Sequence, residues 1–258
     1  MHTSLPADLP VLRAGDPQSR VALVLHGGGG PRTVAPIVGH LAETMHAVAP
    51  THPGWDGTDR PETIASVRDL AAAYLEGLLA RPERDVVLVG SSIGGWIALE
   101  MAIQAAADER FAGVIGAVVD IDGVGVVVDG HPMADFFALD ARGLAEAAWH
   151  DPARGFLDPA LMTDEQRAVQ QSNGRTMAAI AGPGMSDPGL LERLGSIAAP
   201  TLVVWGASDR IATPAYGRVV AEAIPGGRFV EIPAAGHLPH LEAPDATWAA
   251  IDGFLAGR

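Results

Sequence analysis

Asp85-Val86-Val87-Leu88-Val89-Gly90-Ser91-Ser92-Ile93-Gly94-Gly95-Trp96-Ile97-Ala98-Leu99-Glu100-Met101-Ala102 is the stretch that decides the fold. It begins with an unbroken apolar run, Val86 to Val89, rich in β-branched residues. Such a run predicts a strand buried on both faces. Good helix formers follow from Ile97 to Ala107. Between them, Gly90-Ser91-Ser92-Ile93-Gly94 has the spacing G-x-S-x-G. A strand that turns sharply into a helix holds its central residue in a strained backbone geometry, with the side chain projecting outward. The residues two positions to either side must then be small. Gly90 and Gly94 meet that need for Ser92, whereas Ser91 would be flanked by Val89 and Ile93. The helix that starts after the turn aims backbone N–H groups and a positive dipole end at Ser92.

Composition bounds what this turn can serve. The 258 residues suffice for one large α/β domain with its own core. A hydrophobic share of 48% against 19% charged residues is that of a globular chain. There is no cysteine, which excludes disulfides, thiolate metal sites and a cysteine nucleophile. Every basic residue is arginine, so lysine chemistry is excluded too. The net charge of −14 argues against nucleic acid and against anionic membrane surfaces. The most apolar region, Phe111 to Val128, is broken by Asp120, Asp122 and several glycines and does not read as a membrane span. Met1 to Pro10 lacks a basic segment followed by an apolar core, so no signal peptide is evident and a cytoplasmic location is expected. No metal-ligand spacing is present and no cofactor is expected. The expected partner is a small molecule, with a homo-oligomer left open.

Upstream, Leu9 to Gly15 suits an edge strand and Arg20 to Leu25 a buried one. The latter runs into His26-Gly27-Gly28-Gly29-Gly30-Pro31. Glycines are costly in chain entropy, and a run of them after a buried strand marks a place where backbone must approach something closely. Val34 to Thr44 predicts a helix, His46 to Pro50 a strand, and Pro61 to Leu79 a long amphipathic helix. Downstream, a strand lies within Phe111 to Ile121. From Val124 to Ser196 the rhythm breaks into helical pieces at Asp140 to Trp149, Thr163 to Ile180 and Gly189 to Leu194. Flexible or aromatic residues there, including Phe136, Phe137, Trp149 and Met177, suit either packing or an adaptable pocket lining. Alternation resumes with strands at Thr201 to Trp205 and Arg228 to Ile232 and helices at Pro214 to Ala223 and Leu238 to Leu255. This order predicts a mainly parallel sheet with helices on both faces, and an irregular insertion over one end of it.

A serine hydroxyl needs a base in contact, and the base needs an orienting acid. Histidine titrates near neutrality and suits the first role. Asp209 lies in the loop after the Trp205 strand and His237 in the loop after the Ile232 strand. The carboxyl ends of parallel strands gather on one edge, where the Ser92 turn also emerges. Asp122 ends a strand as well and is the rival acid. His240 suits a structural site and His26 shapes the glycine loop, while His52, His131 and His150 have no partner pattern and suit surface or pocket-wall positions.

With these pieces in place, the chain resembles the α/β-hydrolase superfamily over nearly its whole length. The resemblance rests on His26-Gly27-Gly28-Gly29-Gly30, Pro53-Gly54-Trp55-Asp56-Gly57, the Ser92 turn, Trp205-Gly206-Ala207-Ser208-Asp209 and Gly236-His237-Leu238-Pro239-His240-Leu241-Glu242. It implies Ser92 as nucleophile, His237 as general base and acid, and Asp209 as its orienter, in the chain order Ser, Asp, His. It implies an oxyanion hole from the N–H of Ile93 and one from the glycine loop, Gly28 ahead of Gly29. It also implies a core of residues 1–123 and 197–258 with a cap of 124–196. Trp96, Phe136, Phe137, Trp149 and Leu238, with Gly29, are the pocket candidates. Serine at 92 argues against relatives that use an aspartate there, and the missing lysine against lyases that need one. Ester or lactone hydrolysis ranks first, followed by carbon–carbon cleavage of a diketone-like compound or thioester hydrolysis. From a different class, a small-molecule receptor or a non-hydrolytic catalyst could keep the same three residues.

Overall fold

The computed structural model describes residues 5, 6, 8–182 and 184–257. Its strands are β1 (Val11–Ala14), β2 (Val21–Leu25), β3 (His46–Pro50), β4 (Val86–Ser91), β5 (Ile115–Ile121), β6 (Gly125–Val126), β7 (Ser186–Asp187), β8 (Thr201–Gly206) and β9 (Arg228–Ile232). The main helices are α1 (Ala35–Leu41), α2 (Val67–Leu79), α3 (Ile93–Ala107), α4 (Ala141–Ala148), α5 (Pro152–Gly155), α6 (Asp164–Ala181), α7 (Leu190–Arg193), α8 (Pro214–Ala223), α9 (Pro239–Glu242) and α10 (Pro244–Leu255).

Seven strands form one sheet in the order β1-β3-β2-β4-β5-β8-β9. β1 runs antiparallel to β3, and every other pair in this sheet is parallel. The apolar runs are continuous because both faces are covered. Leu23, Leu25, Val86 and Leu88 pack on one face with Leu70 and Leu75 of α2, Ile97 of α3 and Val220 of α8. Ala22, Val24, Val87 and Val89 pack on the other with Ile37 of α1 and Ile251 and Phe254 of α10. This is the α/β-hydrolase fold. β4 lies at the centre, so the turn after it is flanked by strands on both sides.

Between β5 and β8 the chain leaves the sheet. This excursion carries α4 to α7 and the small parallel pair β6–β7, in register at Gly125 with Ser186 and Val126 with Asp187. A partly buried ion pair ties its end to the core: Arg193 meets the buried Glu100 of α3 at 2.6 Å and also bonds Asp187.

Three helix limits differ from the sequence reading. The helix expected to run to Thr44 ends at Leu41. The helix expected from Pro61 begins at Val67, because Ser66 adopts extended backbone and its Oγ accepts the Asp69 N–H at 3.1 Å. The helix expected from Leu238 to Leu255 is two, α9 and α10, broken at Ala243 before Pro244. The residue before a proline is driven out of helical backbone.

Candidate active site

Ser92 has φ 58° and ψ −122°, a region that L-residues rarely occupy. Its N–H donates to Ile121 O at 2.9 Å, and its carbonyl accepts the Gly95 N–H at 2.9 Å. The glycine spacing follows from contact. A Cβ on Gly90 would lie 2.1 Å from Gly94 O, and one on Gly94 would lie 2.1 Å from Leu25 O. As the first residue of α3, Ile93 has an N–H with no acceptor inside the helix.

The loops after β8 and β9 are bound to each other. Ala207 N–H donates to Ile232 O at 2.9 Å and Ser208 N–H to Ala235 O at 2.8 Å. Gly206 is glycine because a Cβ there would lie 1.9 Å from Gly236 O. Asp209 Oδ1 accepts the N–H groups of Ile211 at 2.8 Å and Ala212 at 3.3 Å. Asp209 Oδ2 lies 2.7 Å from His237 Nδ1, and His237 Nε2 lies 2.9 Å from Ser92 Oγ. Asp209 and His237 are buried, whereas Ser92 is partly accessible. Hydroxyl, imidazole and carboxylate thus form one hydrogen-bonded line, with Nδ1–H directed to the acid and Nε2 free to accept a proton.

The glycine loop rests on a buried histidine pair. The ring centroids of His26 and His52 are 3.7 Å apart. His26 Nε2 accepts the His52 backbone N–H at 2.9 Å, so its proton is on Nδ1, which donates to Gly27 O at 2.8 Å. His52 Nε2 donates to His26 O at 3.0 Å, and its Nδ1 accepts from the Tyr74 hydroxyl at 2.6 Å. Burial lowers His26 to about 4, and burial with His26 alongside lowers His52 well below the usual range. Both rings are neutral at pH 7. His52 is therefore neither on the surface nor on a pocket wall, as the sequence reading had it, but is a fully buried support. The C=O and N–H of a trans peptide point in opposite directions. Fixing Gly27 O toward His26 thus turns the Gly28 N–H to the other side, and Trp55 Nε1 fixes Gly28 O at 3.0 Å. The loop runs close to the serine: a Cβ on Gly27 would lie 3.2 Å from Ser92 Cβ.

The excursion between β5 and β8 frames this line from two sides. From α6, Met177 covers Gly28, its Sδ 2.6 Å from where a Cβ would be. Asn173 exchanges hydrogen bonds with Asp56 at 2.8 and 3.0 Å, and Thr176 Oγ1 donates to Gly54 O at 2.9 Å. On the other side, Ala148 O accepts the His237 N–H at 2.7 Å, and His150 Nδ1 meets Ser208 Oγ at 2.8 Å. Glu242 accepts N–H groups from Gly236 at 2.7 Å, His150 at 3.0 Å and Asp151 at 3.2 Å.

The remaining candidates are distributed unevenly. Trp149 lies against Gly236, and Leu238 follows His237 directly. Trp96 is buried against Gly125, and Gly29 lies beside Thr33. Phe136 and Phe137 line a cleft of about 540 Å³ with Val126, Met133 and Met185, and Ser92 is not in its lining. His240 is buried and bonds Thr33 O at 3.0 Å, with burial lowering it to about 4. Asp122, the rival acid, is fully buried, and its Oδ1 accepts the Gly206 N–H at 2.9 Å. Among the described residues, one ring nitrogen of His237 and one oxygen each of Asp122 and Asp209 lie within 4.8 Å of one another. Within this group Asp209 and His237 are joined by the 2.7 Å hydrogen bond. The bonds of Tyr74 and Asn173, and those of Glu242 to the His150 stretch, are not visible in the sequence, since these partners are 22, 117 and 92 residues away. Met177 was flagged only by type.

A family model described as Alpha/beta hydrolase family matches residues 22–250. The chain is 29% identical to the Mycobacterium tuberculosis protein named "Putative non-heme bromoperoxidase BpoC", over 94% of each chain. It is also 29% identical to the pimeloyl-[acyl-carrier protein] methyl ester esterase of Stenotrophomonas maltophilia, over 86% of this chain and 87% of that one. The solved 2-hydroxy-6-oxo-6-phenylhexa-2,4-dienoate hydrolase of a Rhodococcus species superposes with a TM-score of 0.71 at 24% identity, covering 95% of this chain and 94% of that one.

Proposed function

This chain belongs to the alpha/beta hydrolase family, and from that premise we propose that it is a serine hydrolase acting through an acyl-enzyme on Ser92. The bond cleaved is of ester type, a carboxylic ester or a lactone, in a small and largely apolar molecule. The observation that carries this reading is the unbroken line from Ser92 Oγ through His237 to Asp209, at 2.9 and 2.7 Å. The esterase relative at 29% identity supports the ester bond.

In the proposed cycle, Ser92 Oγ bonds to the carbonyl carbon as its proton passes to His237 Nε2. Asp209 holds the imidazole in orientation and balances the positive charge it gains. The N–H groups of Ile93 and Gly28 meet the charge that develops on the carbonyl oxygen. His237 then returns the proton to the leaving oxygen, which departs as an alcohol, or stays attached as a hydroxyl if the substrate is a lactone. Water attacks the acyl-enzyme, giving its proton to His237 and its hydroxyl to the carbonyl carbon. The acid leaves, and Ser92 regains its proton. Residues 124–196 act as the cap, with Met177 over Gly28 on one side and the Ala148–Trp149 backbone against Gly236 and His237 on the other.

Labelling with a fluorophosphonate probe and turnover of short aryl esters test the reading together. Wild type is expected to label and turn over, and Ser92→Ala to do neither. Full esterase activity in purified Ser92→Ala would overturn the assignment. Tight ligand binding with labelling but negligible turnover would point to a receptor.

A further inference from the structure

The proposed relay leaves one carboxyl of its own cluster unused. Asp122 follows β5 in left-handed backbone, at φ 47°, and is fully buried. Its Oδ1 is taken by the Gly206 N–H at 2.9 Å, and no N–H or O–H donor reaches its Oδ2. The groups that face it are Asp209 and His237, from the loops after β8 and β9, and Asp120 on its own strand. Two ionised carboxylates this close, and away from water, repel strongly. Burial, and then the charge of Asp209, push Asp122 well above the usual carboxylate range. It therefore holds a proton while Asp209 is charged, and Oδ2 is the oxygen left to carry it.

We propose that Asp122 is a second orienting acid for His237, held in reserve behind Asp209. This rests on the serine-hydrolase reading above. Asp122 is a positioning residue, since it acts through His237 and does not touch the reacting atoms. Removing the Asp209 side chain takes away the repulsion, and water entering the vacated space offsets part of the burial that is the larger cause, so Asp122 releases its proton to that water. One negative charge replaces another, so the charge of the cluster is unchanged. An Asp122 oxygen within 4.8 Å of a ring nitrogen needs a shift of about 2 Å to reach the 2.7 Å that Asp209 now holds.

The test compares Asp209→Asn, Asp209→Ala and Asp122→Asn/Asp209→Ala with wild type, on short aryl esters, with thermal melts to confirm folding. Asn at 209 fills the space and cannot ionise, so a loss of about ten thousandfold is expected. Ala vacates the space, and a loss of about a hundredfold or less is expected. Adding Asp122→Asn to Asp209→Ala then lowers activity by roughly a further hundredfold, to the level of the Asn variant. A second measurement needs no substitution at Asp209, only a folded Asp122→Asn. The infrared difference between wild type and Asp122→Asn is expected to contain a carboxylic-acid carbonyl band belonging to Asp122. Folded Asp209→Ala as inactive as Asp209→Asn and indifferent to Asp122→Asn would overturn the proposal, as would absence of the acid band. Ser92→Ala separates the two readings. If it remains active, the serine mechanism fails and the reserve acid with it. If it is inactive while Asp209→Ala is already at the floor, only the reserve acid fails.

Discussion

Asp120 lies on the α3 side of β5, in room made by two glycines. A Cβ on Gly95 or on Gly123 would lie 2.0 Å from its Oδ1. Neither oxygen meets a donor in good geometry, although the Gly123 N–H is near enough to offset part of the effect of burial. Burial pushes its carboxyl up to about 7 from an ordinary 3.8. The sign follows. Between those two values the folded chain holds a proton that the unfolded chain has lost, so stability falls as pH rises through that window. Asp120→Asn is neutral at every pH. Urea melts at pH 5 and pH 8 are therefore expected to show the variant gaining on wild type at pH 8, by on the order of a few kcal/mol. An equal difference at both pH values would mean that Asp120 is not the titrating group.

At the scale of elements, the short stretch that joins α4 to α5 touches the loops after both β8 and β9. Its backbone is held by Glu242, whose carboxylate collects N–H groups from Gly236, His150 and Asp151. Glu242→Ala leaves three donors without that acceptor and loosens the His237 loop. A fall of about ten- to a hundredfold in kcat is expected, with KM changing less. Glu242→Gln keeps one acceptor oxygen and is expected to recover part of the loss. An unchanged kcat in the alanine variant would show that the loop is held by other means. This brace also marks the limit of what could be read from the chain. The elbow was legible because its signature is local: Gly90, Ser92 and Gly94 stand within five residues, although Gly94 is held to glycine by Leu25 O on the neighbouring strand. Asp209 and His237 were legible through their place after strands, which parallel topology brings to one edge. Glu242 and His52 were not, because their partners are fixed only by the packing of distant segments. The early start assigned to α2 failed for a related reason. Pro61 and Glu62 suit a helix start, but the side chain of Ser66 ends the competition by capping at the next turn.

Across the whole molecule, the segment between β5 and β8 is tied down at several separated points: α6 on the Gly54–Asp56 turn, the α4–α5 joint on the loops after β8 and β9, and Arg193 on Glu100. The last is the costly one to break. The Glu100 side chain is 1% exposed, and removing its guanidinium partner leaves a buried charge short of compensation. Losing one member of a fully buried pair commonly costs about 3–5 kcal/mol, and the cost here is smaller because the Arg193 side chain is 25% exposed. The distant Arg68, 3.8 Å from Glu100, compensates only in part. Arg193→Ala is expected to lower the melting temperature sharply, and Arg193→Ala/Glu100→Gln to restore much of it. If the double variant melted no higher than the single one, packing of the arginine stem and not charge would be the cause.

The pairing of β6 with β7 sets the spacing of the two joints at which this segment meets the core. Register at Gly125 with Ser186 and Val126 with Asp187 puts the outgoing and returning backbones one strand width apart, about 5 Å. A foreign segment whose own ends lie that close could be spliced in at these two joints without stretching the sheet. The fold thus offers a natural graft point, where the segment between β5 and β8 could be exchanged while the sheet and the loops beneath it stay in place.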